Sequence, residues 1–185
     1  MTKRVLVPIA NGTEEIEAVS IIDTVRRAGA EVTVASVETS LQVTASRGVK
    51  LVADARISDC VKQTYDCIAL PGGMPGAEHL RDCAPLIEKL KQQKQSGRLY
   101  GAICASPAVV LQPHGLLQGV RATCFPSMRD RLDPAHASDE RVVVDGNCVT
   151  SQGPGTAIPF ALALVELLFD ATKAREVAGA MLVEV

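Results

Sequence analysis

The stretch GAICASPA, residues 101–108, ends an apolar run at Cys104 and follows it at once with Ser-Pro. We predict a strand over 99–104 and a helix after it, with Ser106 as the N-cap and Pro107 in the first turn, where a missing N–H costs nothing. Loops at the carboxyl ends of parallel strands are where α/β proteins place their chemistry. This corner therefore predicts an α/β fold and a functional position for Cys104.

Strands and helices alternate on both sides of this corner. Apolar or alternating runs predict further strands at 4–9, 31–37 and 65–70. Helical spacing with matching start and stop residues predicts helices at 14–28, 85–95, 156–169 and 172–181. Strands separated by helices form parallel crossovers, so we expect a doubly wound, three-layer α/β/α sandwich. Short β-rich pieces at 41–51 and 142–150 are predicted as β-hairpin additions.

Length and composition restrict the class of protein. A chain of 185 residues with 47% hydrophobic residues fits one domain over 1–185. A net charge of −2 and 3% aromatic residues argue against a nucleic-acid partner. The first apolar stretch lasts six residues before Asn-Gly-Thr-Glu-Glu, which fits neither a secretory signal nor a membrane span. We expect the mature chain to begin at or near Met1.

Six cysteines are scattered through the chain without a Cys-x-x-Cys pair or zinc-ligand spacing. Neither a metal site nor a dithiol redox motif is predicted. In a chain that is large enough for an ordinary core, such cysteines indicate reduced thiols and a cytoplasmic location. Most of them should be buried core residues.

Cys104 differs from the others because it faces a predicted helix amino end, where the partial positive charge lowers a thiol pKa. The alternative is a structural cysteine at a strand end. The loop PGGMPGA, residues 71–77, also follows a strand, and its glycines can turn backbone N–H groups toward an anionic centre. Taken alone it is an ordinary glycine-rich turn. No Gly-Lys phosphate motif follows, and we expect no helix to start there.

Three acids open the first predicted helix. For Glu15, complementing the helix dipole is a sufficient explanation. Helical periodicity places Glu14 along the inward stripe and Glu17 at its margin, so at least one carboxylate should point inward. Periodicity alone favours Glu14.

Six short motifs resemble a known superfamily in order and spacing. They are EEIE (14–17), SRGV (46–49), LPGG (70–73), AICA (102–105), FP (125–126) and TSQGPG (150–155). The chain resembles the ThiJ/PfpI superfamily, with its class I glutamine amidotransferase-like domain. Within it, the nearest branch is that of the Parkinsonism-associated protein deglycase and its bacterial chaperone-like relatives. The resemblance runs from about Lys3 to Met181.

The resemblance implies a flavodoxin-like fold and a homodimer, with Cys104 as a reactive cysteine in a strained corner. It places the partner glutamic acid at Glu17, against the periodicity, and implies that backbone groups of Gly72, Gly73 and Ala105 line a small pocket. It implies glyoxalase or protein deglycase activity on small aldehydes or glycated proteins, a protective role in oxidative stress, and no cofactor. The alternative is a sensor or chaperone in which Cys104 is oxidised to a sulfinate.

The chain departs from the superfamily pattern at two positions. Superfamily peptidases have His directly after the cysteine, where this chain has Ala105, so a peptidase is not expected. Some relatives carry His where this chain has Phe125. The three histidines, at 79, 114 and 136, sit in turn-like surroundings and are expected in surface or capping roles. Arg27 and Arg47 match positions near the subunit interface, from which they could attract anions to the pocket, although a solvated surface role fits equally well.

Overall fold

The computed structural model describes residues 2–184 as a seven-stranded sheet between two helical layers. The sheet order is β5-β2-β1-β6-β7-β9-β8, and every neighbouring pair is parallel except β8 and β9. The strands are β1 (Arg4–Ile9), β2 (Glu31–Ser36), β5 (Ala55–Arg56), β6 (Cys67–Leu70), β7 (Leu99–Ile103), β8 (Val142–Asp145) and β9 (Cys148–Ser151). A separate antiparallel hairpin consists of β3 (Gln42–Thr44) and β4 (Lys50–Val52).

Six α-helices complete the fold. They are α1 (Glu15–Arg27), α2 (Ile57–Cys60), α3 (Gly76–Asp82), α4 (Ala84–Gln95), α5 (Ala157–Leu168) and α6 (Ala171–Ala180). A π-helical segment covers Pro107–Leu111, and short 3-10 helices cover Pro126–Arg131 and Pro154–Thr156. None of the helices in the described range 2–184 is long and apolar enough to cross a membrane.

The alternation of side chains along the strands divides the core into two layers. On β1, Val5, Val7 and Ile9 pack with α1, α5 and α6, whereas Leu6 packs on the opposite face with α3 and α4. Successive residues of a strand point to opposite faces, so a central strand covered on both sides has to be apolar at nearly every position. This explains the uninterrupted apolar runs that predicted the strands.

The site lies where the strand order reverses. The chain passes from β1 outward to β2 and then returns to the other side of β1 as β6. Crossover loops leave in opposite directions at such a point, which opens a crevice at the carboxyl ends of the strands. The segments that follow β1, β6 and β7 all begin at this edge. Glu17 in the first turn of α1, Gly73 after β6 and Cys104 after β7 lie on these segments.

The sequence predicted the flavodoxin-like α/β class correctly, and three local expectations were wrong. Segment 142–150 does lie in a hairpin of β8 and β9, but this hairpin is not a separate addition, because β9 pairs in parallel with β7 inside the main sheet and β8 is its antiparallel edge. A helix, α3, does begin within the 71–77 loop, at Gly76. The strand at the corner ends at Ile103, one residue before Cys104.

Candidate active site

Cys104 occupies a strained backbone position. Its φ is +64°, in the left-handed region that non-glycine residues rarely adopt. Two backbone hydrogen bonds hold it there: its N–H donates to the carbonyl of Ser151 at 3.0 Å, and its carbonyl accepts from the N–H of Phe125 at 2.8 Å. The left-handed conformation at Cys104 makes a sharp turn in the backbone directly after the end of β7.

The helix start after Cys104 differs from the expectation. Ser106 is not an N-cap, because it already has helical dihedral angles and its hydroxyl donates to the carbonyl of Pro71 at 2.6 Å. The segment that follows is a five-residue π-helix, Pro107–Leu111, whose dipole is small. Ser106 instead ties the Cys104 corner to the loop after β6.

Glu17 lies in the first turn of α1 and is fully buried. Its Oε2 accepts a hydrogen bond from the N–H of Gly72 at 2.7 Å. Within residues 2–184, its Oε1 is buried without a hydrogen-bond partner, and the Cys104 thiol is close enough for each group to shift the pKa of the other. The carboxyl therefore has one oxygen fixed by the backbone and one free for the sulfur.

The periodicity favoured Glu14 because it assumed that Glu14 is helical, and that assumption was wrong. Helix α1 begins at Glu15, and Glu14 has extended dihedral angles as its N-cap. The Glu14 carboxylate accepts from the N–H of Glu17 at 2.8 Å, which fixes the first turn. Glu17 is consequently the inward carboxyl that the family resemblance implied.

Glu15 does more than complement the helix dipole. Its carboxylate accepts from the Ser46 hydroxyl at 2.9 Å and from the N–H groups of Arg47 at 2.8 Å and Val49 at 3.4 Å. Burial of the carboxyl works against ionisation, but these hydrogen bonds outweigh it and lower the pKa of Glu15. Glu15 thereby anchors the β3–β4 turn beside the site, a role that dipole arguments alone did not indicate.

The two glycines of the β6 loop have different roles. A Cβ at Gly72 would lie 2.7 Å from the Cβ of Cys104, so only glycine permits this approach. The N–H of Gly72 is used by Glu17 and Gly72 does not line the pocket, in contrast to the expectation for this residue. Gly73 has a φ of +88° and, with Ala105, does line the pocket. The backbone N–H groups of Gly73 and Ala105 favour the ionised form of the Cys104 sulfur and so work against the rise in its pKa.

Burial dominates the electrostatics of the pair. Together with a smaller contribution from the charge of Glu14, it raises the pKa of Glu17 to about 7. Burial and the Glu17 carboxylate together raise the pKa of Cys104 to about 12, against the lowering that the helix amino end predicted. Burial is the largest cause of both rises, and the thiol is raised further because Glu17 ionises first and disfavours a second negative charge beside it. As pH rises through about 7 the pair therefore passes from two protons to one, and the proton that the two groups then share resides on the thiol.

The pocket above the thiol has a volume of about 280 Å³. Cys104, Gly73 and Ala105 line this pocket, whereas the fully buried Glu17 does not. The surrounding wall consists of Glu14, Ser46, Arg47, Met74, Phe125, Met128 and Pro154. Such a volume accommodates a small carbonyl compound beside the sulfur.

The remaining candidates separate clearly. Arg47 lines the pocket, whereas Arg27 pairs with Asp23 at 2.6 Å and does not. The histidines take the surface and capping roles expected for them. Ring nitrogens of His79 and His136 lie 2.6 Å from Glu38 and 3.0 Å from Asp133, and His114 lies 3.0 Å from the Arg81 carbonyl. None of the three lines this pocket.

No group of three or more His, Cys, Asp or Glu side chains in residues 2–184 is arranged to hold a metal ion. All six cysteines are free thiols, and only Cys83 and Cys104 are not buried. Cys83 thus provides an internal comparison for the reactivity of Cys104.

Comparison with known proteins gives consistent results. Residues 3–167 match the DJ-1/PfpI family. The chain is 51% identical to Protein DJ-1 homolog B of Arabidopsis thaliana over 182 residues, which are 98% of this chain and 42% of that protein, so it spans less than half of that relative. It is 40% identical to the Glutathione-independent glyoxalase DJR-1.2 of Caenorhabditis elegans, over 84% of this chain and 82% of that one. The structure of oxidized Toxoplasma gondii DJ-1 superposes with a TM-score of 0.98 at 54% identity, covering both chains fully.

Proposed function

The chain belongs to the DJ-1/PfpI family, and from that premise we propose that it converts reactive 2-oxoaldehydes such as methylglyoxal to 2-hydroxy acids without glutathione. The observation that carries the proposal is the buried Glu17 carboxyl, which is near enough to the Cys104 thiol to interact with it and whose Oε1 has no hydrogen-bond partner within the described chain. A relative whose name describes it as a glutathione-independent glyoxalase is 40% identical to this chain. The same addition chemistry would act on early glycation adducts of proteins, giving a protective role against carbonyl and oxidative stress.

The reaction begins when the ionised Glu17 carboxylate takes the proton of the Cys104 thiol, which leaves the negative charge on sulfur. The Cys104 thiolate adds to the aldehyde carbon, and the carbonyl electron pair moves to oxygen. Negative charge thus leaves the sulfur for the new oxyanion, and the N–H groups of Gly73 and Ala105 are the donors available to it. Glu17 gives the proton it took from the thiol to that oxygen, which forms a hemithioacetal and leaves the carboxyl ionised.

Glu17 then moves a proton between the two adjacent carbons. Ionised at Oε1, it removes the hydrogen from the carbon attached to sulfur and returns a proton to the neighbouring carbon. The hydroxyl on the former aldehyde carbon also passes its proton to the ketone oxygen. The former aldehyde carbon is thereby oxidised to a thioester while the former ketone is reduced to an alcohol, so no external oxidant or cofactor is needed. Water hydrolyses the thioester, which releases the hydroxy acid and restores the thiol.

A second candidate is a non-enzymatic redox sensor or chaperone. Peroxide would oxidise the Cys104 thiolate stepwise to a sulfinate. The observation in its favour is the same free oxygen of Glu17, which as a protonated carboxyl would donate a hydrogen bond to a sulfinate oxygen. Both candidates use the same thiol, so thiol reactivity alone does not separate them.

Turnover of methylglyoxal by Cys104→Ser separates the two functions. A serine hydroxyl keeps the shape but ionises at a far higher pH, so lactate formation, followed by NMR, should fall to background. Cys83→Ser, at the other thiol that is not buried, should keep the wild-type rate. Lactate formation by Cys104→Ser at a substantial fraction of the wild-type rate would overturn covalent addition through Cys104. If the wild-type protein forms no lactate, the sensor function is favoured.

We also propose that the chain acts in the cytoplasm as a homodimer. Support for the dimer comes from Ile16 and Val19, which are 56% and 46% exposed on one face of α1. Val49 and Val52 of the β3–β4 hairpin are also exposed, and Glu15 holds the turn of that hairpin against the start of α1. Exposed apolar side chains that gather on neighbouring segments are typical of an interface.

A further inference from the structure

One side of the pocket wall is polar and the other side is apolar. The β1 side of the sheet supplies Ser46 and Arg47, whereas the β7 and β9 side supplies Phe125, Met128 and Pro154, with Met74 between them. Met74 and Phe125 remain exposed, at 41% and 40%. We infer that this apolar wall is a subsite for the substituent of the 2-oxoaldehyde, so that the protein favours aryl and larger alkyl glyoxals over glyoxal itself. The inference rests on the proposed function.

Phe125 is the central residue of the apolar wall because its backbone is bonded to the reactive corner. Its N–H donates to the Cys104 carbonyl at 2.8 Å, and its own carbonyl accepts from the N–H of Met128 at 2.8 Å. The ring lies against Gly153, where a Cβ would be 3.4 Å from Cδ2 of the ring. The aromatic surface is therefore held at a fixed place beside the thiol while much of it still contacts water.

The covalent chemistry places the substituent near this wall. The sulfur bonds to the aldehyde carbon, and the next carbon carries the substituent, so the substituent begins two carbons from the sulfur. In glyoxal this substituent is a hydrogen atom, which covers none of the exposed apolar surface. In phenylglyoxal it is a phenyl ring, and contact between this ring and the Phe125 ring removes apolar surface of both from water. Only contacts that persist in the transition state raise kcat/KM, and a substituent attached to the reacting carbon keeps its contacts throughout.

Specificity is measured as the ratio of kcat/KM for phenylglyoxal to that for glyoxal, which cancels the intrinsic activity of each variant. Phe125→Ala should reduce this ratio about tenfold, the scale of a lost apolar contact in a substrate pocket. Phe125→Leu should retain most of the ratio because it keeps an apolar surface. Leu167→Ala removes an apolar side chain of matched exposure, 41%, from α5 and should leave the ratio unchanged. An unchanged ratio in Phe125→Ala would overturn the subsite.

A second measurement does not depend on turnover. The rates at which iodoacetamide and its N-phenyl derivative alkylate Cys104 report the same apolar wall through simple displacement of iodide. The ratio of the N-phenyl reagent's rate to that of iodoacetamide should be about tenfold higher for the wild-type protein than for Phe125→Ala. If no dicarbonyl is turned over but this gain is present, the proposed function fails and the subsite stands. If dicarbonyls are turned over but neither ratio responds to Phe125→Ala, the subsite fails and the proposed function stands.

Discussion

At the scale of single residues, the chemistry of this site depends on where one proton lies. Cys104 and Glu17 are both desolvated, the thiol favours ionisation of the carboxyl, and the ionised carboxyl makes ionisation of the thiol harder. With one proton in the pair, the negative charge lies either on sulfur or on the carboxylate. The N–H groups of Gly73 and Ala105 favour charge on sulfur, and the negative charge of Glu14 opposes charge on Glu17. Both neighbours thus assist transfer of the proton from sulfur to Glu17, although the pKa values of about 7 for Glu17 and about 12 for Cys104 keep that proton on sulfur before substrate binds.

Replacing Glu17 by Gln should separate the two roles of this carboxyl. Gln keeps a hydrogen-bond donor beside the sulfur but cannot transfer a proton between carbons. We expect methylglyoxal conversion to fall by about 10²-fold or more, while Cys104 remains reactive toward peroxide in a mass-spectrometric assay. Glu17→Ala should lose both the donor and the turnover. Full methylglyoxal activity in Glu17→Gln would exclude Glu17 as the proton shuttle and favour the sensor function.

The shared proton also predicts a pH profile. The fully protonated pair is inactive, and it loses its first proton as pH rises through the value of about 7 to which the pKa of Glu17 is raised by burial. The second proton leaves only near the raised pKa of Cys104, about 12. We therefore expect kcat/KM to rise about tenfold for each pH unit below 7 and to level off above it. A profile that is flat from pH 5 to 9 would contradict the shared-proton arrangement.

At the scale of elements, long apolar runs were predictable and loop ends were not. Strand β1 was predicted with its observed bounds, and α1 was predicted one residue too long at each end. That one residue at its start changed the interpretation of Glu14, because an N-cap points its side chain at backbone N–H groups instead of along the helical stripe. Ser106 was misassigned for a similar reason: its hydroxyl bonds to Pro71, which is distant in sequence. Local patterns carry no information on such tertiary partners.

The sequence was sufficient to single out Cys104 at the junction between a strand and a helix. It was not sufficient to predict that Glu17 lies next to Cys104 in the folded chain. Placing Glu17 required either the motif resemblance or the observed hydrogen bond from Gly72. The raised pKa of Cys104 could not be predicted either, because it depends on burial of the thiol and on its approach to Glu17, both of which arise only in the folded chain.

The hydrogen bonds from the 46–49 turn to Glu15 can be tested by their effect on stability. Glu15→Ala removes three hydrogen bonds to a charged acceptor in the 46–49 turn and should reduce the free energy of unfolding by about 2 kcal/mol, measured with urea at pH 7. The pKa of Glu15 is lowered in the folded state, so this stabilisation is present above its unfolded pKa and is lost as pH falls. The difference between wild type and variant should therefore shrink below about pH 4.

Glu78→Gln is the matched control, since it also removes an acid from the first turn of a helix, α3. Its effect on the free energy of unfolding should be within about 0.5 kcal/mol, the usual size for a surface position. Equal effects of the two substitutions would show that Glu15 contributes only through the helix dipole.

At the scale of the whole molecule, the pocket and the exposed apolar surface share one segment. Residues 46–49 supply Ser46 and Arg47 to the pocket wall and present Val49 to solvent. The same segment is bonded to Glu15, one residue before the exposed Ile16. A second copy that covers this surface would therefore lie at the pocket mouth, and dimer formation would affect access to Cys104.

Placing a charge on the exposed face of α1 should break the dimer. Ile16→Glu would bury a carboxylate in each half of the interface, a cost of several kcal/mol that association does not offset. We expect light scattering after gel filtration to show a dimer for the wild type, a monomer for Ile16→Glu, and a dimer for Val144→Glu, a control of similar exposure, 42%, on the edge strand β8. Because Glu15 fixes the 46–49 turn within each copy, the monomer should keep a folded pocket and an alkylatable Cys104. A dimer that persists in Ile16→Glu would exclude this face of α1 as the interface.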